Sequence, residues 1–366
     1  MNEVRALTGI RGTAALTVFL AHTRAALEPR GIDLWVPTAI ERLFLSGGRQ
    51  VDIFFVLSGF ILSMTYASWF DSNLHVKQYG RFLRKRFARI YPLHAFMLIL
   101  VLCFVLVARI VHADVANGIG RFTFSSLVPN FLLIQAWYSD SADAANWNPP
   151  SWSISIEALA YLLFPVFLRS TVAIRRSRPW VMIAVIIGCG LICNAFVFWG
   201  QTGVEGIVRG LTEFVLGSCL ASLYRHPLAV WLKSNVGSVV ALVGLAICFV
   251  LTPDTGFVIA VFTAPLLLSL TGKNAVSAFF GWSPVHFLGE ISYSIYLGQF
   301  LFTSIAYRLV STAWMRSGHL ATALGLLAIV AFVLSLSTMT YFGVERPGRQ
   351  WLAGKRAGVR EAVVAR

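Results

Sequence analysis

The sequence predicts an all-α, polytopic helical membrane protein of about ten transmembrane helices, with N-terminus and C-terminus cytoplasmic. Composition is the first observation. Of 366 residues, 57% are hydrophobic and only 13% are charged, with a mean hydropathy of +0.73. Soluble domains carry about 25% charged residues, and one soluble core of this length cannot hide so much apolar surface. The same numbers exclude a disordered chain, a nucleic-acid module and an ordinary cytosolic enzyme. The second observation is the recurrence of apolar runs near the ~20 residues that a helix needs to cross a bilayer. The third is the placement of the 30 Lys and Arg, which outnumber 16 Asp and Glu and give a formal charge of +14.

The spans run in order over 7–24, 51–69, 90–111, 151–169, 180–199, 204–224, 236–252, 256–272, 286–309 and 319–342. The first contains Arg11 and lacks a small-residue cleavage site after it, so it reads as a retained helix rather than a signal peptide. The stretch 122–138 is apolar but broken by Pro129-Asn130, and reads as an interfacial or re-entrant piece. With ten spans and the N-terminus inside, twenty Lys and Arg fall on the inner side and six on the outer side. That asymmetry fits the positive-inside rule, and an eleventh span would turn the cluster at 169–179 outward. The longer connections are 25–50, 70–89 and 112–150, none with room for a second globular domain. The chain divides into one membrane domain, 1–345, and a basic cytoplasmic tail, 346–366. The five cysteines lie in apolar stretches without a CxxC, which favours packing over disulfides or metal.

Charges inside a bilayer need a partner or a wet cavity. The candidates are Arg11, His22, Asp52, Glu157, Glu205, Arg209, Glu213, Glu290 and Glu345. Glu205, Arg209 and Glu213 recur every four residues and read as an internal ion pair with one further polar contact. Arg11 and His22 are eleven residues apart, which puts them on one helix face about 16 Å apart along the axis. Asp52 and Glu157 fall at a depth similar to His22, so either carboxylate is a candidate to fix its tautomer, and a histidine so held is a general base. Ser153 or nearby backbone amides are candidates for stabilising an oxyanion. At the inner mouth, Arg86 and Arg89 are three apart beside Arg84, and paired guanidiniums suit a diphosphate or phosphorylated nucleotide.

Six blocks extend this reading. They are Arg5-Ala6-Leu7-Thr8-Gly9-Ile10-Arg11 with His22; Val51-Asp52-Ile53-Phe54-Phe55-Val56-Leu57-Ser58-Gly59-Phe60; and Arg86-x-x-Arg89-Ile90-Tyr91-Pro92. The others are Ser151-Trp152-Ser153-Ile154-Ser155-Ile156-Glu157 leading to Tyr161; Leu288-Gly289-Glu290-Ile291-Ser292-Tyr293-Ser294-Ile295-Tyr296-Leu297; and Glu345-Arg346-Pro347. In this order, across about residues 5–349, the chain resembles the acyltransferase-3 family of bacterial integral-membrane O-acyltransferases acting on O-antigen, exopolysaccharide and similar glycans.

The resemblance implies a cytoplasmic acyl-CoA donor, with acetyl-CoA the default, and a glycan or lipid-linked saccharide acceptor. It implies a multi-pass protein of the bacterial inner membrane, with no metal and no nucleic acid. His22 and Arg11 are then essential; Glu157 and Asp52, placed beside His22 by depth, are the catalytic partners expected from the residues themselves. The resemblance has Arg86 and Arg89 support donor binding; to these the residue reading adds Arg84 and Arg11 for the donor, and Ser153, Trp152 and Tyr293 for substrate contact. Arg11 and His22 are expected to line one continuous passage. The sequence departs from many relatives at Gly298-Gln299, where they have a histidine; an amide cannot carry a proton at neutral pH. A transporter or exporter of a small molecule or lipid-linked glycan is the alternative, and it predicts paired halves of broken helices, for which no repeat is visible.

Overall fold

The computed structural model describes residues 4–32, 37–70, 75–111, 122–138, 147–175, 179–197, 203–224, 226–251 and 256–354. Among them there are helices and turns but no strand. In chain order the helices are α1 (Arg5–Leu27), α2 (Thr38–Leu45), α3 (Gln50–Phe70), α4 (Val76–Ile110), α5 (Leu127–Phe131) and α6 (Trp152–Arg175). They continue as α7 (Pro179–Val197), α8 (Gly203–Leu223), α9 (Leu228–Leu232), α10 (Asn235–Leu251), α11 (Gly256–Ser269) and α12 (Ala275–Gly281). The last are α13 (Ser283–Glu290), α14 (Ser292–Leu309), α15 (Thr312–Met315), α16 (His319–Thr340) and α17 (Arg346–Leu352).

Each predicted span overlaps a helix or a pair of helices among the described residues. By length and apolarity, five helical stretches among the described residues are sufficient to cross a membrane: Gly47–Phe70, Val76–Ile110, Pro149–Arg169, Gly203–Leu223 and His319–Leu352. The segment 122–138 forms the five-residue α5 and turns, too short to span. The basic tail from residue 355 onward lies outside the described residues, as do 112–121 and 139–146 of the long connection.

Two expectations are corrected. The connection 70–89 is helical from Val76 onward, so α4 runs unbroken for 35 residues, about 52 Å at 1.5 Å per residue. Its Lys, Arg and Gln are good helix formers, and their charge keeps these turns out of hydrocarbon without ending the helix. The span 286–309 is two helices parted at Ile291.

Close backbone approach sets how the bundle packs. An ideal Cβ on Gly59 would sit 1.9 Å from the Phe214 carbonyl oxygen, and one on Gly217 would sit 1.9 Å from that of Val56. Glycine at these two crossing points lets α3 and α8 touch main chain to main chain. Gly12 and Gly289 do the same for α1 and α13. Two apolar clusters result. One, with Val18, Phe82, Leu93, Phe164, Leu297 and Val333, joins α1, α4, α6, α14 and α16. The other, with Leu7, Val56, Leu220, Leu267 and Phe280, joins α1, α3, α8, α11 and α12. Between these packed faces α1, α3, α4, α6 and α14 leave a space.

Candidate active site

That space is a cavity of about 280 Å³. On α3 its lining runs from Val51 through Phe54, Ser58, Ile61 and Leu62 to Thr65. The fourteen residue-to-residue rises from Val51 to Thr65 make the cavity about 21 Å long in this direction. Helix α1 lines it from Val4 to Arg11, α4 contributes Arg86, Arg89 and Ile90, and α6 contributes Ser153, Ile154, Glu157 and Tyr161. The break at Ile291 opens the wall at the start of α14, where Ser292, Tyr293 and Tyr296 face in. Ser292 Oγ there donates to the Gly289 carbonyl at 2.8 Å.

Three arginines meet in this cavity although they come from distant parts of the chain: Arg11, Arg86 and Arg89. Arg86 donates to Tyr66 Oη at 3.0 Å and lies 5.2 Å from the centroid of that ring. Its buried Nε has no hydrogen-bond partner among the described residues. Glu157 is the carboxylate on the lining. It accepts from Ser58 Oγ at 2.7 Å and from Tyr161 Oη at 2.5 Å. Glu345, buried at the end of a π-helical turn over Tyr341–Glu345, accepts from Ser294 Oγ at 2.8 Å. Both carboxylates interact electrostatically with Arg11. The lining itself therefore carries three guanidiniums against one carboxylate.

At the other end stand Val51, Phe54, Ser153 and Tyr296. The Phe54 and Tyr296 rings are 5.9 Å apart, and the Ser153 and Tyr296 hydroxyls are hydrogen-bonded at 2.9 Å. The cavity lining does not reach His22, so this cavity alone does not form the passage expected between Arg11 and His22. Arg11 lines the cavity and His22 does not. His22 is exposed, about three helical turns beyond Arg11 on α1. Its Nδ1 lies 3.1 Å from Oε1 of Gln299, the residue following Tyr296 by one turn of α14.

The expected orienters of His22 are engaged elsewhere. Asp52 is buried against α8, where Arg209 Nε donates to its Oδ1 at 2.8 Å and Arg209 Nη2 pairs with the same atom. Glu213 joins them, 3.9 Å from Arg209 Nε. Glu157 turns toward Ser58 and Tyr161 instead. The neutral Gln299 occupies the position expected for a carboxylate. Trp152 is not on the lining; it is buried, with the Arg209 guanidinium 5.7 Å from its ring centroid. Arg84 is exposed and lies beside Gly354, away from Arg86 and Arg89. Tyr293 does line the cavity and donates to the Ile90 carbonyl at 2.6 Å. Ser58, Tyr161, Tyr296 and Gln299 were not singled out as site residues from the sequence. Their signal was a place inside the motif blocks, or just after one. No group of three or more His, Cys, Asp or Glu suited to a metal occurs among the described residues.

A helical bundle around a cationic cavity, with a histidine beyond its far end, is an arrangement suited to handling an anionic group-transfer donor. Residues 4–342 match the acyltransferase-3 family, described as an acyltransferase domain. The chain belongs to that family and is an acyltransferase, and this sets aside the transporter alternative. It is 30% identical to Acyltransferase MdmB of Streptomyces mycarofaciens over 96% of this chain and 92% of that protein. It is 24% identical to O-acetyltransferase OatA of Staphylococcus aureus (strain NCTC 8325 / PS 47), over 80% of this chain and 49% of that protein. The chain thus spans about half the length of the staphylococcal relative. No solved structure matches.

Proposed function

We propose that this acyltransferase moves an acyl group, acetyl by default, from a cytoplasmic acyl-coenzyme A to a hydroxyl of a cell-surface or exported glycan. The reading places it in a bacterial inner membrane, with ten spans and both termini cytoplasmic. The observation that carries it is the convergence of Arg11, Arg86 and Arg89 on a cavity elongated along α3. Guanidiniums recognise phosphates by charge-assisted, paired hydrogen bonds. The partnerless Nε of Arg86 leaves a donor for such a ligand. The long pantetheine arm of coenzyme A then follows α3 past Glu157 and Ser58 toward Phe54 and Tyr296.

His22 Nε2 takes the proton of the acceptor hydroxyl as its oxygen attacks the thioester carbonyl carbon. The carbon–sulfur bond breaks, the ester forms, and the leaving thiolate recovers the proton from the imidazolium. The Tyr296 and Ser153 hydroxyls stand at the end of the cavity toward which the thioester travels, suited to donate to the developing oxyanion. The Phe54 and Tyr296 rings part for the thioester to meet His22.

The test is acyl transfer by the purified chain in detergent, using labelled acetyl-CoA. His22→Ala is expected to lose at least about 100-fold in kcat, the scale of a general base, and Arg11→Ala to lose most of its turnover. A well-folded His22→Ala protein with full activity overturns the reading. The acceptor is identified by comparing the mass of glycans from cells with and without the gene; the expected difference is one acyl group.

A further inference from the structure

Resting on the assignment of His22 as proton acceptor, we propose that Gln299 is the positioning residue that holds His22 in its Nδ1–H tautomer and so leaves Nε2 as the base. Gln299 is only 3% exposed, so water does not compete for its amide. Its Nε2 lies 3.0 Å from the main-chain carbonyl oxygen of Tyr296. A carbonyl can only accept, so the amide NH2 must point there and Oε1 must point the other way. Oε1 faces Nδ1 of His22 at 3.1 Å, and as an acceptor it requires the hydrogen to be on Nδ1. A neutral imidazole has one N–H, so Nε2 keeps its lone pair.

The surroundings reinforce the relay. Gln299 is the hydrogen-bond partner of His22 among the described residues. The Tyr307 hydroxyl donates to the Thr23 carbonyl at 3.0 Å, tying α14 to α1 one residue beyond His22. Tyr296, whose carbonyl orients the amide, is also the residue whose ring and hydroxyl bound the cavity. The fixed tautomer is therefore built on the same turn of α14 that meets the donor.

An amide differs from a carboxylate in one chemically important way. It selects the tautomer without adding a negative charge to stabilise the imidazolium. The amide therefore adds no charge of its own that would hold the transferred proton back from the leaving thiolate. A carboxylate at the same position would keep the tautomer but retain the proton more strongly.

The experiment combines turnover with a tautomer readout that does not depend on turnover. The full chain is labelled with 15N-histidine, and the His22 signals are assigned by comparison with His22→Ala. Neutral His22 is expected as the Nδ1–H form. Gln299→Leu is expected to give mixed tautomers and a kcat about 10- to 100-fold lower, with the acetyl-CoA KM unchanged. Gln299→Glu is expected to keep the Nδ1–H form and move the acid limb of the pH–rate profile to higher pH; it also serves where Gln299→Leu folds poorly. An Nε2–H form in the unmodified protein, or an unmoved acid limb in Gln299→Glu, overturns the proposal. Full activity in His22→Ala instead overturns the assignment of the base, and the two failures are told apart by the nitrogen spectrum.

Discussion

Arg209 on α8 donates from Nε to Oδ1 of Asp52 on α3 across 2.8 Å, and both side chains are buried. The contact ties together the two helices that approach most closely at Gly59 and Gly217. Breaking a buried ion pair by removing one partner typically costs roughly 3–5 kcal/mol, and here Glu213, 3.9 Å from Arg209 Nε, offsets only part of the loss. Asp52→Ala is therefore expected to lower the unfolding temperature sharply in detergent, while kcat per folded molecule stays near that of the parent. Unchanged melting with collapsed kcat would return Asp52 to the chemistry.

The main-chain contact of α3 with α8 has its own test. Gly217→Val adds three carbons where even the first would lie 1.9 Å from the Val56 carbonyl oxygen. Overpacking in a tight core costs about 1–3 kcal/mol or more, and here backbone must move. Expected outcomes are low yield and a polydisperse profile on gel filtration, whereas Gly188→Ala on α7, which faces open space, leaves both unchanged.

The arginines divide by position. Arg86→Ala and Arg89→Ala are expected to raise the acetyl-CoA KM by about 10- to 100-fold, the worth of a hydrogen bond to a charged group at ~1.5–3 kcal/mol. The acceptor KM should not change. Arg84→Ala is the control with donor KM unaltered, since that side chain lies beside Gly354. Equal effects from all three would indicate general surface charge rather than a built site.

Glu157 is the lining carboxylate among three guanidiniums. Glu157→Gln preserves the shape and removes the negative charge. Coenzyme A is expected to bind more tightly by equilibrium titration and to leave more slowly, so product inhibition rises and kcat falls. Weaker coenzyme A binding in this variant would show that Glu157 supports the donor site rather than moderating it.

Much of this was legible in one dimension, because helices are local. The apolar runs marked every long helix, and the eleven-residue spacing placed Arg11 and His22 on one continuous α1. The convergence of Arg11 with Arg86 and Arg89 was legible only through the motif blocks. Two kinds of feature were not. A charged stretch such as 76–89 looks like a loop in hydropathy although its residues favour helix. Partner choice across the fold is the other: Asp52 precedes Arg209 by 157 residues and His22 precedes Gln299 by 277, and no periodicity encodes such pairings. Similar depth suggested that Asp52 served His22, but which way a side chain points around its helix depends on the neighbour that packs there.

The π-helical turn at Tyr341–Glu345 gives the C-terminal portion a rotational setting. Helix α16 is anchored along a narrow seam of Gly325, Ile329, Val333 and Ser337, spaced four residues apart, while most of its circumference is smooth hydrocarbon. Past that seam the wide turn advances the azimuth, so that Glu345 arrives opposite Ser294. Excising Gly343 would rewind the following segment by about 100°, swinging the acidic group out of phase and presenting its basic neighbours inward. The bulge thus works as a one-residue phase shifter between a rod held along one apolar seam and the polar interior that its last turn must face.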